Sequence, residues 1–264
     1  MTHQIISPIA DVYGVPDIQA RRGKFETQLV QGELFDVAEE KEGWCKGTCA
    51  HDSYPGYIQS LHLTKQVVAP THIVTAARSH TYRDPSIKSP FVATLSFGSL
   101  RKVTDSKDGF VQINGGAWIY EKHTVPVATI EKDYIATARK FLETPYYWGG
   151  RSGFGVDCSG LVQVSLAHAG ISVPRDSDVQ EAHIGSLVIP ATAGISASAQ
   201  DTGFRRYDGY MPQAGDIVFF KGHVGLMADD HHLLHANAFH MKTVIEPLAD
   251  VIGRGNAITS IRRI

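Results

Sequence analysis

Gly155-Val156-Asp157-Cys158-Ser159-Gly160-Leu161-Val162 is the stretch on which the reading of the whole chain turns. After the glycine, Leu161, Val162, Val164, Leu166 and Ala169 recur at helical intervals as far as Gly170, a residue type that favours the end of a helix. The spacing predicts a helix that begins at Cys158. A thiol in that place feels the positive end of the helix dipole, which favours thiolate over thiol. The glycines ahead of it, Gly149, Gly150 and Gly155, let backbone N–H groups approach a developing oxyanion. A cysteine at a helix start is by itself more often structural than catalytic, so the case needs a base.

Downstream, strands are read from Asp216–Phe220, His223–Met227, His232–His235, Thr243–Glu246 and Ala257–Ile261. A thiol nucleophile needs an imidazole to take its proton, and that imidazole needs a second group to fix its tautomer. His223, flanked by Gly222 and Gly225, and His235 fall on neighbouring strands and can fill both roles. His231, His232 and His240 crowd the same region, but neither a carboxylate nor a fixed spacing makes them a metal site, and none is expected. Upstream of Cys158, Ile130, Tyr134, Ile135, Ala138, Phe141 and Leu142 predict another helix, stopped by Pro145. Trp148 reads as a packing residue. The stretch from Gly185 to Gly203 has no strong period and reads as a long surface loop. Helices followed by an antiparallel meander make the last half an α+β domain, expected over residues 127–264.

The first half reads differently. Residues 1–66 and 67–126 are two loose copies of one pattern of short strands and glycine turns: Leu29 to Val37 answers Val92 to Val103, and Trp44 to Ile58 answers Phe110 to Ile119. Such runs predict two small all-β barrels in tandem. Cys45 and Cys49, roughly 13 Å apart on one extended strand at about 3.3 Å per residue, are too distant for a disulfide and read as half-buried apolar residues.

Composition narrows the function. With 264 residues, 43% hydrophobic and 20% charged, the chain is long for one small core. A net charge of -2 gives no basic field for nucleic acid or anionic membrane. The opening residues lack the basic start and apolar run of a secretory signal, and no stretch approaches the ~18 apolar residues that span a bilayer. The expectation is a cytoplasmic monomer with neither nucleic-acid nor membrane partners.

Several motifs taken together carry a family resemblance. Thr144-Pro145-Tyr146-Tyr147-Trp148-Gly149-Gly150, Asp157-Cys158-Ser159-Gly160-Leu161-Val162, Pro174-Arg175-Asp176-Ser177, Gly215-Asp216-Ile217-Val218-Phe219-Phe220, His223-Val224-Gly225 and His235-Ala236 resemble, in order and spacing, the NlpC-type papain-like cysteine peptidases. The two β repeats look like the bacterial SH3-like barrels that precede this domain in several relatives. The implied fold is therefore multidomain: two SH3-like barrels followed by an α+β papain-like peptidase domain.

The resemblance implies Cys158 as nucleophile, His223 as general base and His235 as the orienting member of a Cys-His-His triad, with no cofactor. The implied substrate is a small murein-derived stem peptide, cut between γ-D-glutamate and a diamino acid during cell-wall peptide recycling. Tyr146 would face the oxyanion, and Asp176 the substrate's ammonium. Asp157, Ser159 and Ser177 would bond its peptide and carboxylate groups. Asp52-Ser53-Tyr54-Pro55-Gly56-Tyr57 looks like the loop that donates a tyrosine, Tyr54, to the cleft, although Tyr57 stands where the family pattern has tryptophan. Plainer readings stay open for each: Tyr146 as core, Asp157 and Asp176 as helix caps, Ser159 as a first-turn residue. At the level of the whole protein, the alternatives are a non-catalytic wall-binding protein and a thiol acyltransferase or amidase.

Overall fold

The computed structural model describes residues 1–18, 25–189 and 212–264. Two compact units emerge, one of Met1–Ile130 with Trp148–Gly155, the other of Glu131–Tyr147 with Val156–Ile264.

The first unit is built of strands. β1 (Thr2–Ile5), β2 (Ile9–Tyr13), β3 (Phe25–Val30), β4 (Leu34–Lys41), β5 (Trp44–Cys49), β6 (Pro55–Gln59) and β7 (Leu63–Thr64) form one sheet in the order β3-β2-β6-β5-β4-β1-β7. β8 (His72–Val74), β9 (Arg78–Tyr82), β10 (Phe91–Ser96), β11 (Leu100–Arg101), β12 (Val103–Lys107), β13 (Phe110–Ile113), β14 (Trp118–Tyr120) and β15 (Thr124–Pro126) follow. They pair as β10-β9-β14-β13-β12 and as β11-β8-β15.

The internal likeness extends to the turns. Glu42-Gly43 joins β4 to β5 with φ of 51° and 79°, and Asp108-Gly109 joins β12 to β13 with 51° and 77°. Two successive positive φ values match the right-handed twist of a hairpin, which is why an acidic residue followed by glycine stands in both places. A 3₁₀ turn then precedes a short strand each time, Ser60–His62 before β7 and Glu121–His123 before β15. Cys45 and Cys49 both point into the core with Ile5, Leu29, Phe35 and Ile58. They are fully buried, not half-buried, because alternate residues of β5 share its inner face.

In the second unit a sheet runs β18-β23-β19-β20-β21-β22. Its strands are β18 (Ser186–Ile189), β19 (Ile217–Phe220), β20 (His223–Met227), β21 (His232–Asn237), β22 (Lys242–Pro247) and β23 (Ile258–Arg263), numbered after the short β16 (Arg151–Ser152) and β17 (Gly155–Val156). The meander holds from β19 to β22. The last strand returns to the far side of β19, after a helix the sequence pattern did not show, α4 (Leu248–Gly253). That helix lays Leu248, Val251 and Ile252 on Val218, Phe220, Met227 and Leu233.

Three other helices complete the unit: α1 (Tyr134–Arg139), α2 (Cys158–His168) and α3 (Ser177–His183). α2 starts at the cysteine as expected and ends with Gly170 at φ 79°, where Ile171 N donates to Leu166 O and Gly170 N to Ala167 O. This pair of bonds satisfies the last carbonyls of the helix. Its residues from Cys158 to Leu166 are all buried, so it is a central helix rather than an amphipathic surface one.

Several expectations are corrected. The helix read from Ile130 to Leu142 is α-helical only from Tyr134 to Arg139. Asp133 caps it by accepting from Ala136 N at 2.8 Å, and Lys140, Phe141 and Leu142 donate three residues back instead of four. The apolar spacing survives this tightening because three- and four-residue steps share a face. Trp148 does not pack; it is 63% exposed, just ahead of a left-handed Gly149. Of the loop expected from Gly185 to Gly203, residues 186–189 are β18, paired with β23, and residues 190–203 lie outside the described residues.

Candidate active site

Asp157 ends the turn before α2, and its Oδ1 accepts from Gly160 N at 2.7 Å. That cap sets Cys158 as the first residue of the helix, 7% exposed. The strand β20 packs on α2, and the Val224 backbone N–H, one residue beyond His223, donates to the Cys158 sulfur.

Burial and the Asp157 carboxylate push the thiol up to about 11, against the opposing pull of the Val224 and Ser159 N–H groups and Arg175. Burial therefore works against the thiolate that the helix start favours.

The histidines are aligned by sheet geometry. Val218 pairs with Gly225 and Met227 with Leu233, so His223, Gly225, Met227, Leu233 and His235 alternate onto one face. Glu246 joins them, since it pairs with Leu233 across β21 and β22. His223 Nε2 and His235 Nδ1 are 2.8 Å apart. Gly225 makes this possible: a β-carbon there would lie 2.8 Å from Leu233 Cγ and 3.0 Å from His235 Cβ. Burial lowers both imidazoles well below the usual range. Both shifts run toward a neutral thiol at Cys158 and a neutral imidazole at His223.

Behind His235 stands Glu246, with Oε1 2.8 Å from His235 Nε2. Arg254, at the end of α4, grips the same carboxylate with two bonds of 2.9 and 2.6 Å, and His240 Nε2 is 3.2 Å from Oε2. Asn237 Nδ2 reaches both His235 Nε2 at 2.7 Å and Glu246 Oε1 at 3.4 Å.

The remaining expected residues divide. Tyr146 is half-buried, and its phenol is raised by burial and by the nearness of Cys158 and Asp157. Asp157 and Ser159 are buried and engaged by Arg175, which donates to Asp157 Oδ2 at 2.6 Å and to Ser159 Oγ at 2.8 Å. Asp157 is therefore a helix cap and half of a buried ion pair. Asp176 is the exposed N-cap residue of α3, without a side-chain capping bond, and Ser177 is the helix's first residue.

Tyr54 belongs to the first unit, partly buried against the core of the first sheet. Its N–H donates to Asp52 Oδ1 at 3.0 Å and its carbonyl accepts from Cys49 N. Burial opposes ionisation of Asp52, but His51 and the Tyr54 N–H prevail and hold the carboxyl at about 2.

The sequence reading gave no part to Arg175, Glu246, Asn237 or Arg254. Arg175 stood inside a quoted motif. The signal for Glu246 is its parity with Val244 on β22, which puts it on the face that His235 shares. Carboxylates do stand beside the extra histidines: Asp229 is 2.9 Å from His232, and Glu246 holds His240. These are paired groups; among the described residues no three His, Cys, Asp or Glu side chains are arranged to hold a metal. No described helix is long and apolar enough to cross a membrane.

Residues 143–252 match the NlpC/P60 family, and residues 19–63 match the bacterial dipeptidyl-peptidase SH3 domain. The chain is 26% identical over 260 residues to a gamma-D-glutamyl-L-lysine dipeptidyl-peptidase of Bacillus cereus, covering 85% of this chain and 71% of that protein. It is also 26% identical over 258 residues to dipeptidyl-peptidase 6 of Lysinibacillus sphaericus, covering 88% and 86%. The fold matches the crystal structure of an NlpC/P60 family protein from Bacillus cereus with a TM-score of 0.78 at 23% identity, over 100% of this chain and 99% of that one.

Proposed function

Given a chain that carries an NlpC/P60 cysteine peptidase domain behind a bacterial dipeptidyl-peptidase SH3 domain, we propose that it releases L-Ala-γ-D-Glu from free murein stem peptides, in cell-wall peptide recycling. The observation that carries the reading is the line of contacts from Cys158 through the start of β20 to the 2.8 Å pair of His223 and His235. The name of the Bacillus cereus relative, a gamma-D-glutamyl-L-lysine dipeptidyl-peptidase, supports the position of the cut.

His223 Nε2 is engaged by His235, so Nδ1 is the nitrogen left to face the thiol. It takes the Cys158 proton as the sulfur attacks the γ-carbonyl of D-glutamate. The Cys158 N–H and the Tyr146 hydroxyl stabilise the oxyanion. Collapse of the intermediate sends the proton from His223 to the amine of the departing diamino acid, and water then hydrolyses the thioester. Because thiol and imidazole start neutral, the proton moves in the attack step itself.

Asp176 is exposed at the start of α3, and the motif resemblance gives its carboxylate to a substrate ammonium. Ser177 beside it, with Ser159 and Asp157, would bond the peptide. We read the β8 to β15 segment as a second SH3-type module, supported by the matching Glu42-Gly43 and Asp108-Gly109 turns. Tyr54 is assigned to substrate from the motif resemblance.

The test is mass spectrometry of products from L-Ala-γ-D-Glu-diaminopimelate and its N-acylated form, using wild type and Cys158→Ala. Release of the dipeptide by wild type from the unblocked peptide only is the expected result. Cleavage of both peptides would remove the amine-reading roles of Asp176 and Tyr54. Cleavage of neither would overturn the substrate.

A further inference from the structure

We propose that Glu246, clamped by Arg254, is a positioning residue that fixes the proton on Nε2 of His235 and so orders the whole line of hydrogen bonds toward Cys158. The inference rests on the peptidase reading for its chemistry, and on four distances for its geometry.

A carboxylate that is held ionised can only accept hydrogen bonds. Burial opposes the charge on Glu246, yet Arg254, His235 and His240 hold its carboxyl at about 2. The His235 nitrogen 2.8 Å away therefore carries the proton and donates it to Oε1. A neutral imidazole with its proton on Nε2 is an acceptor at Nδ1. His235 Nδ1 then accepts from His223 Nε2, 2.8 Å away, and His223 Nδ1 is left with a lone pair. That lone pair is what a base for Cys158 requires.

Each proton position along the line follows from the carboxylate. Were the proton on His235 Nδ1 instead, His223 would present an N–H to the thiol and could take nothing from it. Arg254 acts on the carboxylate itself, and its two bonds of 2.9 and 2.6 Å turn the carboxylate plane so that Oε1 faces His235. Asn237 Nδ2, a donor because its Oδ1 accepts from His240 N, lies 2.7 Å from the same nitrogen and 3.4 Å from Glu246 Oε1, so it competes with the carboxylate for that nitrogen, and the charged acceptor prevails. The charged and titratable groups around the carboxylate are thus His235, His240 and Arg254, all in direct contact with it.

Glu246→Gln is the discriminating variant. Its neutral amide is a weaker acceptor than the carboxylate, so the Asn237 Nδ2 donor, 2.7 Å from His235 Nε2, takes over that nitrogen and reverses the line. Three measurements on the full chain read this out: ¹⁵N shifts of labelled histidine rings, the pH profile of Cys158 alkylation by iodoacetamide, and kcat and KM on the stem tripeptide. The expected outcome is a change of His235 tautomer, alkylation slowed at every pH near neutrality, and kcat lower by ~100-fold or more at little-changed KM. Glu246→Asp should recover part of both rates.

An alkylation profile and ring shifts like those of wild type in folded Glu246→Gln would overturn the proposal. Should that variant fail to fold, Arg254→Gln keeps the carboxylate but frees its plane, and an unchanged alkylation profile there overturns it equally. Alkylation needs no peptide, so a wild type that ignores the tripeptide but still differs from Glu246→Gln refutes the substrate and supports the positioning role.

Discussion

His223 Nε2 lies 2.8 Å from His235 Nδ1, across a pair of strands whose close approach depends on a glycine. The imidazole proposed as the base for Cys158 is held from behind by a second imidazole, and that arrangement has consequences for rate, stability and pH.

The first concerns the thiol. With Cys158 raised to about 11 and His223 depressed by burial, thiolate is scarce near neutrality. Alkylation of Cys158 by iodoacetamide should climb steadily between about pH 6 and 10. A plateau already reached near about pH 5 would mean a preformed thiolate–imidazolium pair and would contradict the neutral resting state.

Gly225→Ala tests the strand geometry. The new methyl group must displace Leu233 or His235, with an expected loss of about 1–3 kcal/mol in the peptidase unit. With His235 in its proposed role of orienting the base without touching substrate, kcat should fall while KM holds. A variant equally active and equally stable to urea would show that the close approach is unimportant.

Arg175→Met tests the support under the nucleophile. Arg175 is 2% exposed and pairs with Asp157 at 2.6 Å, so its loss strands a buried carboxylate beside Cys158. Urea denaturation should show a loss of about 3–5 kcal/mol, the usual consequence of breaking a buried pair from one side. A loss well under about 1 kcal/mol would place the pair in solvent.

Acid sensitivity follows from His235, which is 1% exposed and depressed to about 4 from 6.5. Below pH 6.5 the unfolded chain binds a proton that the folded one refuses, so unfolding free energy falls as pH falls. The contribution is complete above the unfolded value and lost by about pH 4, at no more than about 1.4 kcal/mol per pH unit. Urea midpoints of wild type and His235→Gln across this range should converge on acidification. Parallel curves would show that His235 does not titrate between the two states.

What was legible in the sequence followed the local rules. α2 was readable because its cysteine start, apolar spacing and terminal Gly170 all agree. The strands carrying His223 and His235 were readable from their apolar runs. α4 was not, since Leu248, Val251 and Ile252 span less than two turns. β18 was hidden because its pairing with β23 is a long-range fact that short composition cannot express. Within the site, the cysteine and histidines were carried by motif, whereas Glu246 and Arg254 meet only once strand register and the return of α4 bring them together, and Arg175 meets Asp157 only once the chain after α2 turns back on its start.

The central claim is that Cys158 becomes acylated by the γ-glutamyl group. Acid-quenching wild type during turnover of the stem tripeptide, then measuring the mass of the peptide that contains Cys158, tests it directly. The account predicts a thioester adduct of L-Ala-γ-D-Glu on Cys158, absent from Cys158→Ala, which should not turn over. Turnover by Cys158→Ala, or an adduct on any other residue, would contradict it.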